Sequence, residues 1–192
     1  MPKITRESLL PLEVYSRERS RIRAEVIEHK IRRRIPLGEH VTLIFEDEMT
    51  IRYQVQEMLR IERIFEDHAI REELAAYNPL IPDGQNLKAT MMIEYPDPAE
   101  RALALAKLIG VEDKVWIRAG DRSIFADADE DLDRESADKT SAVHFLRFQL
   151  PIELSSALKG GATWQIGITH PAYEAAVDVP SHIRDALLKD LA

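Results

Sequence analysis

The sequence predicts an α+β fold with a largely antiparallel sheet and helices packed on one of its faces. Two segments of alternating apolar and polar residues, 163–169 and 173–179, follow each other across a short turn, which is the spacing of a β-hairpin. Other segments carry apolar residues at helical spacing. The chain has 192 residues and neither an internal repeat nor a linker, so we expect a single domain over 1–192.

The first 34 residues are predicted to form a basic helical arm. A helix from Ser16 to about Arg34 is indicated because aliphatic residues recur on one side, at Ile22, Val26, Ile27 and Ile31. Residues 1–34 contain ten Lys and Arg against five Glu, whereas the formal net charge of the whole chain is −8. A basic arm on an acidic body favours contact with an anionic partner, or between the two parts of the chain.

The body, 41–179, is predicted to combine strands and helices, and a C-terminal helix is expected over 180–192. Alternation and turn residues predict strands at 41–45, 87–95, 115–118, 123–126, 140–150, 163–169 and 173–179. Apolar periodicity and Pro or Gly boundaries predict helices at 51–65, 68–77 and 97–108, and a short one from Pro151. The acidic stretch 127–138 is expected to be a solvated loop.

Composition excludes several kinds of chemistry. The chain has no cysteine, so it can hold no disulfide, thiolate nucleophile, Cys-ligated zinc or all-Cys iron–sulfur cluster. No run of about 18 apolar residues and no signal-like start occur, which favours a cytoplasmic protein without a membrane partner. Signature motifs for nucleotide binding and for serine hydrolases are also missing.

One acidic residue falls within an apolar stripe. On a helical wheel Glu62 shares its side with Ile51, Val55, Met58 and Phe65. A buried carboxylate must be paired, metal-bound or neutral. Glu62 is therefore a candidate ligand or general base, and an ion pair with an arginine from another element is the alternative.

The opposite side of the same predicted helix is a candidate partner-binding surface. It carries Arg52, Gln56, Arg60 and Arg63, which together could bind phosphate or the carboxylates of a partner. The favoured alternative is a solvated face whose arginines form salt bridges to Glu48, Glu66 or Asp67.

Two histidines interrupt apolar rows in predicted strands. His144 alternates with Ala142, Leu146 and Phe148, and His170 follows Trp164, Ile166 and Ile168. If the two strands are neighbours, both imidazoles could bind iron, manganese or zinc together with Glu62 or Glu94. The spacing matches no metal-binding motif, so a core histidine with one hydrogen bond is the alternative and no cofactor is predicted.

A stiff loop completes the predicted ligand site. Residues 77–84 combine two prolines with polar residues and lead into Lys88. Such loops present binding groups on a rigid frame, although Asn and Asp also bond their own backbone in turns. The candidate ligand-binding residues are Glu62, Tyr77, Asn78, Asp83, Lys88, His144 and Arg147.

Nucleic acid is a weaker candidate partner of the arginine-rich arm. No aromatic residues are interleaved with the arginines of the arm for base stacking, and the body is acidic. Nucleic-acid binding is therefore the third function considered.

Four blocks of sequence resemble a known bacterial family. They are 26–34, 42–64, 77–95 and 139–148, and the last reads Lys-Thr-Ser-Ala-Val-His-Phe-Leu-Arg-Phe. These blocks are similar to the domain-of-unknown-function family numbered 3501, over nearly the whole chain. The resemblance implies no catalytic residue. It implies a gene neighbourhood with rubrerythrin and an iron–sulfur oxidoreductase, and hence an association with oxidative stress or electron transfer.

Two functions of different classes follow. The first is a non-enzymatic accessory protein that acts with a rubrerythrin-like or iron–sulfur partner, since this cysteine-free chain cannot hold a Cys-ligated cluster itself. The second is a metal- or small-ligand-dependent enzyme with a His/Glu site at His144 and Glu62.

Overall fold

The computed structural model describes residues 3–128 and 139–192 and confirms the α+β class. Its strands form two antiparallel four-stranded sheets. The helices are α1 (Leu12–Ile31), α2 (Glu48–Ile61), α3 (Asp67–Tyr77), α4 (Pro98–Lys107), α5 (Ile152–Lys159) and α6 (Ser181–Leu187). The strands are β1 (Arg34–Leu37), β2 (Val41–Phe45), β3 (Asn86–Ile93), β4 (Val115–Ala119), β5 (Arg122–Phe125), β6 (Val143–Gln149), β7 (Trp164–His170) and β8 (Tyr173–Asp178).

The first sheet has the order β1-β2-β3-β6 and the second has the order β5-β4-β7-β8. Alternate residues of both sheets contribute to one shared apolar core, together with residues of α4, α5 and α6. The other face of the first sheet meets a second apolar cluster, in which Phe145 of β6 packs against residues of α2 and α3. The first sheet is therefore covered on both faces.

Two local predictions about this region need correction. The first helix was predicted to extend to about Arg34, but α1 ends at Ile31, and β1, which includes Pro36, begins at Arg34. Proline is tolerated there because β1 is an edge strand that pairs with β2 alone. Helix α2 ends at Ile61 instead of continuing to Phe65, since Arg63 adopts a left-handed conformation with φ of 54°.

The predicted hairpin of β7 and β8 and the predicted pairing of β4 with β5 are both present. Most of the predicted acidic loop 127–138 lies outside the described residues. In the described part of the chain, no helix is both long and apolar enough to cross a membrane.

Candidate functional site

The predicted ligand residues His144 and Arg147 lie on opposite faces of the first sheet. His144 is fully buried on the core side, where its Nε2 lies 2.9 Å from the Ser141 carbonyl oxygen and 3.0 Å from Thr140 Oγ1. Arg147, three positions further along β6, points the other way and forms an ion pair with Asp127. Residues an odd number apart in a strand face opposite sides, so these two side chains do not share a site.

Lys88 and Arg147, by contrast, are brought together. They are direct partners in the ladder between β3 and β6. The backbone NH of Glu46 donates to the Lys88 carbonyl oxygen at 2.8 Å, which continues the ladder to β2 and places Glu46 in the same row. The Thr90 hydroxyl donates to Glu46 Oε1 at 2.6 Å. The outer face of the first sheet thus carries a row of charged residues, two of which the sequence identified.

The predicted loop residues Asn78 and Asp83 have structural contacts. Asn78 accepts from the Ile4 backbone NH at 2.8 Å and donates to the Ile4 carbonyl at 3.0 Å, so its amide fixes the N-terminal segment. Asp83 accepts from the Gln85 backbone NH at 2.8 Å, as in an Asx turn. Tyr77 is half-buried against the α2 and α3 cluster.

The placement expected for Glu62 is wrong. Its side chain is exposed one residue beyond the end of α2, because the stripe that α2 buries consists of Ile51, Val55 and Leu59. An exposed carboxylate needs no buried partner, so the argument for a general base at this position fails. An exposed Glu62 and a buried His144 also do not line one enclosed site.

The predicted partner surface on α2 is divided. Gln56 is buried and not on a solvated face: its Oε1 accepts from the Leu10 backbone NH at 2.7 Å and its Nε2 donates to the Leu10 carbonyl at 3.3 Å. Arg52 pairs with Glu48 at 3.4 Å, and Arg60 pairs with Glu57 at 3.4 Å. Arg63 is exposed beyond the end of the helix. The salt-bridged alternative therefore describes Arg52 and Arg60.

The weak metal candidates do not assemble. His144 and His170 lie in different sheets. His170 Nδ1 accepts from the Ala172 backbone NH at 3.1 Å and Nε2 donates to the Ile109 carbonyl at 3.2 Å, so both ring nitrogens are occupied. Glu94 accepts from the Thr42 hydroxyl at 2.8 Å. Over residues 3–128 and 139–192, no group of three or more His, Asp or Glu is arranged to hold a metal ion.

A cavity of about 460 Å³ lies where three distant segments meet. They are the end of α1, the turn between β2 and α2, and the C-terminal helix with the 3-10 turn that follows it. We call it the terminal cavity. It is lined by His29, Arg32, Arg33, Asp47, His182, Asp185, Ala186, Lys189 and Asp190.

Arg33 is the centre of a buried charged cluster below this cavity. Its side chain is 2% exposed, and its Nε donates to the Phe45 carbonyl oxygen at 2.8 Å. One terminal nitrogen donates to Asp190 and to the Glu46 carbonyl, and the other lies 3.3 Å from Asp47 Oδ2. A guanidinium with this many partners is a fixed part of the structure and not a free anion receptor.

Asp47 connects this cluster to a histidine. His29 Nε2 donates to Asp47 Oδ2 at 2.6 Å, while Asp47 Oδ1 accepts from the Thr50 backbone NH at 3.0 Å and thereby caps α2. The remaining ring nitrogen of His29, Nδ1, has no hydrogen-bond partner among the described residues. The carboxylate thus fixes the orientation of the His29 imidazole, and His29 is one of the residues that line the terminal cavity.

Asp190 is the most perturbed carboxyl group of the cluster. Burial raises its pKa to about 6; Arg33 opposes this change, and the nearby negative charge of Asp47 adds to it. One of its oxygens accepts from Arg33, whereas Oδ1 accepts no hydrogen bond within the described part of the chain. Asp190 lines the terminal cavity, and burial favours its neutral form at a higher pH than for an ordinary aspartic acid.

Sequence reasoning missed this cluster because its members are distant in the chain and none interrupts an apolar row. Residues 32–34 were assigned to the basic arm, and no functional role was assigned to the acidic residues 46–48, which directly follow the predicted strand 41–45. Asp190 had no distinguishing pattern. One signal was available in the sequence: the basic residues 32–34 and the acidic residues 46–48 flank the segment 35–45, which contains the predicted strand 41–45.

A second feature is the exposure of α1. This 20-residue helix buries only Tyr15 and Val26. We call its outward side the outer face of α1; it consists of the exposed residues Arg17, Ser20, Ala24, Ile27 and Ile31. These residues follow one another at alternating intervals of three and four positions, which is the spacing found where two helices pack together. Ile27 is 49% exposed and Ile31 is 56% exposed.

Together these observations define the class: an α+β protein with two antiparallel sheets and a buried ion-pair cluster that joins its N-terminal and C-terminal helices. The chain belongs to the family described as "Protein of unknown function (DUF3501)", whose model matches residues 3–191. The rubrerythrin association implied by the resemblance stays a prediction.

A solved structure is similar over its full length. It is the crystal structure of a novel protein of unknown function from Burkholderia pseudomallei, which is 50% identical to this chain, with a TM-score of 0.94 and coverage of 100% of each chain. No curated protein matches the chain.

Proposed function

We propose that this protein is a non-enzymatic, cytoplasmic accessory protein that docks onto an acidic protein partner through the outer face of α1. The observation that supports the proposal is the exposure of a 20-residue helix that buries only two of its residues. Helices of this length in compact proteins usually bury an apolar stripe of about 100°. Here two large isoleucines remain exposed at the C-terminal end of the helix.

The charge of α1 indicates the chemistry of the partner. Arg17 and Arg23 are exposed, and neither forms an ion pair among the described residues. Arg21 differs, because it binds Glu18 at 2.9 Å and Glu25 at 2.6 Å. Two unpaired arginines beside two exposed isoleucines fit a partner surface with an apolar centre and an acidic rim.

The rubrerythrin-like protein and the iron–sulfur oxidoreductase are the first partners to test, because the family resemblance implies them as genetic neighbours. The alternative function, a metal- or small-ligand-dependent enzyme, has less support at its predicted residues, since His144 and Arg147 face opposite sides of the first sheet.

The test combines co-purification from the native host with reconstitution from purified proteins. At low salt we expect a rubrerythrin-like or iron–sulfur protein to be recovered, and binding to weaken at least tenfold in the double variant Arg17→Glu/Arg23→Glu. The variant Ile27→Ser/Ile31→Ser should weaken binding as well. Arg122→Glu is the matched control, because Arg122 is an exposed arginine on β5, away from α1.

The proposal fails if the purified partner binds the charge-reversal variant as tightly as the wild type. It also fails if light scattering shows a dimer that the Ile27→Ser/Ile31→Ser variant disrupts. In that case a second copy of the chain, and not an acidic partner, covers the outer face of α1.

A further inference from the structure

We propose that the terminal cavity binds a small oxyanion, a molecule with a carboxylate or phosphate group, between the side chains of Arg32 and Lys189 and above Asp190. This site differs from the outer face of α1 and from every ligand residue that the sequence predicted. Its volume of about 460 Å³ lies within the range of natural small-molecule sites.

The charges at the rim select an anion. Arg32 and Lys189 are exposed cavity-lining cations, and neither has an ion-pair partner in the described part of the chain. The one acidic residue at the rim, Asp185, lies 4.0 Å from Arg184. Two imidazoles, of His29 and His182, also line the cavity and carry ring nitrogens that can donate hydrogen bonds.

The floor of the cavity is different, because its charges are already compensated. Arg33 is held by Asp47, Asp190 and two backbone carbonyls, so it fixes the two carboxylates at the bottom of the cavity and does not bind the ligand itself. Asp190 would repel an anion while ionised. In its neutral form it can instead donate a hydrogen bond from its open oxygen to an oxygen of the ligand.

Binding is therefore coupled to proton uptake. Burial, and to a smaller extent the nearby negative charge of Asp47, favour the neutral form of Asp190 and raise its pKa to about 6, although the positive charges of Arg33 and His29 oppose this change. Above that pH an anion must bind next to the negatively charged Asp190, or part of the binding free energy must go into protonating Asp190. The oxyanion should accordingly bind more tightly as the pH falls.

The experiment is calorimetric titration of the full chain with inorganic phosphate and, separately, with succinate, at pH 5.5 and pH 8.0. We expect saturable binding of at least one anion at pH 5.5 and about tenfold or more weaker binding at pH 8.0. Comparison of the two probes distinguishes a phosphate-selective site from a carboxylate-selective one.

Two variants test the assigned roles. Arg32→Gln/Lys189→Gln should weaken binding about tenfold at both pH values, whereas Lys114→Gln, which removes an exposed cation outside the cavity, should leave binding unchanged. Asp190→Asn mimics the neutral acid and should retain binding at pH 8.0. Thermal unfolding of each variant verifies that it is folded.

Three results would overturn the proposal: no saturable binding of either anion, equal weakening by Lys114→Gln and by the rim variant, or a pH dependence that Asp190→Asn leaves intact.

Discussion

Two carboxylates in this protein each bind an arginine, yet their pKa values move in opposite directions. Hydrogen bonds from Arg19 lower the pKa of Glu57 to about 2, with Tyr15 and Arg60 contributing in the same direction. Burial raises the pKa of Asp190 to about 6 in spite of its bond to Arg33. The Glu57 side chain is 16% exposed and that of Asp190 only 2%.

The difference teaches that an arginine partner does not by itself keep a carboxylate ionised. Where water still reaches the pair, the attraction dominates and the charged form is stabilised. Where water is excluded and Asp47 adds a second negative charge, desolvation dominates. The first arrangement fastens α1 to α2, whereas the second produces a group that changes charge near pH 6.

The largest expected effect comes from removal of the buried cation. Arg33→Leu leaves Asp47 and Asp190 without their shared partner and removes one hydrogen bond from each of two backbone carbonyls. We expect a loss of about 3–5 kcal/mol in the free energy of unfolding, measured by urea denaturation at pH 7. A loss below about 1 kcal/mol would show that the buried cluster contributes little.

Asp190→Asn should change the pH dependence of stability. The folded state binds a proton on Asp190 more tightly than the unfolded state, so this group makes the free energy of unfolding fall as the pH rises from about 4 to about 6. The full effect is up to about 3 kcal/mol. Urea denaturation across this window should show the decrease in the wild type and not in the variant.

If the free energies of unfolding of the variant and the wild type instead differ by a constant amount between pH 4 and pH 7, attraction to Arg33 offsets the effect of burial on Asp190. The pKa values of Asp190 and Glu57 would then not move in opposite directions.

Glu57→Gln tests the opposite sign. The pKa of Glu57 is depressed in the folded state, so its contribution is fully present above about pH 4.5 and is lost as the pH falls toward 2. We expect the variant to lose about 2 kcal/mol at pH 7, since partial exposure reduces the value of the pair. Near pH 2 the two proteins should approach equal stability in thermal unfolding; a difference that persists there would point to packing instead of charge.

The smallest effect is expected for Arg21→Ala. Arg21 bridges Glu18 and Glu25 on the surface of α1, where both partners are well exposed. Solvent screens such exposed pairs, so we expect the loss in the free energy of unfolding, measured by urea denaturation at pH 7, to be the smallest of the four. A loss as large as that of Glu57→Gln would show that the exposed ion pairs on α1 stabilise the fold as strongly as the partly buried Glu57 cluster does.

The pattern of the sequence was informative where one element depends on its own residues. The hairpin of β7 and β8 was predictable because alternation and a short turn suffice to specify it. The arrangement of strands into two sheets was not predictable, since the same alternation fits either sheet. Glu62 was misplaced because a helical wheel assumes a helix that continues, and α2 ends at Ile61.

By itself the sequence determined the α+β class, the absence of thiol chemistry, the basic character of the first helix and the family. Only the tertiary structure decided that His144 and Arg147 face apart, that Lys88 and Arg147 face together, and that Arg33 meets Asp190 across 157 positions of sequence. The physical reason is that local periodicity fixes which side of an element a residue occupies. Packing between distant elements decides which of those sides lose contact with water, and with it the charge that a carboxyl group carries.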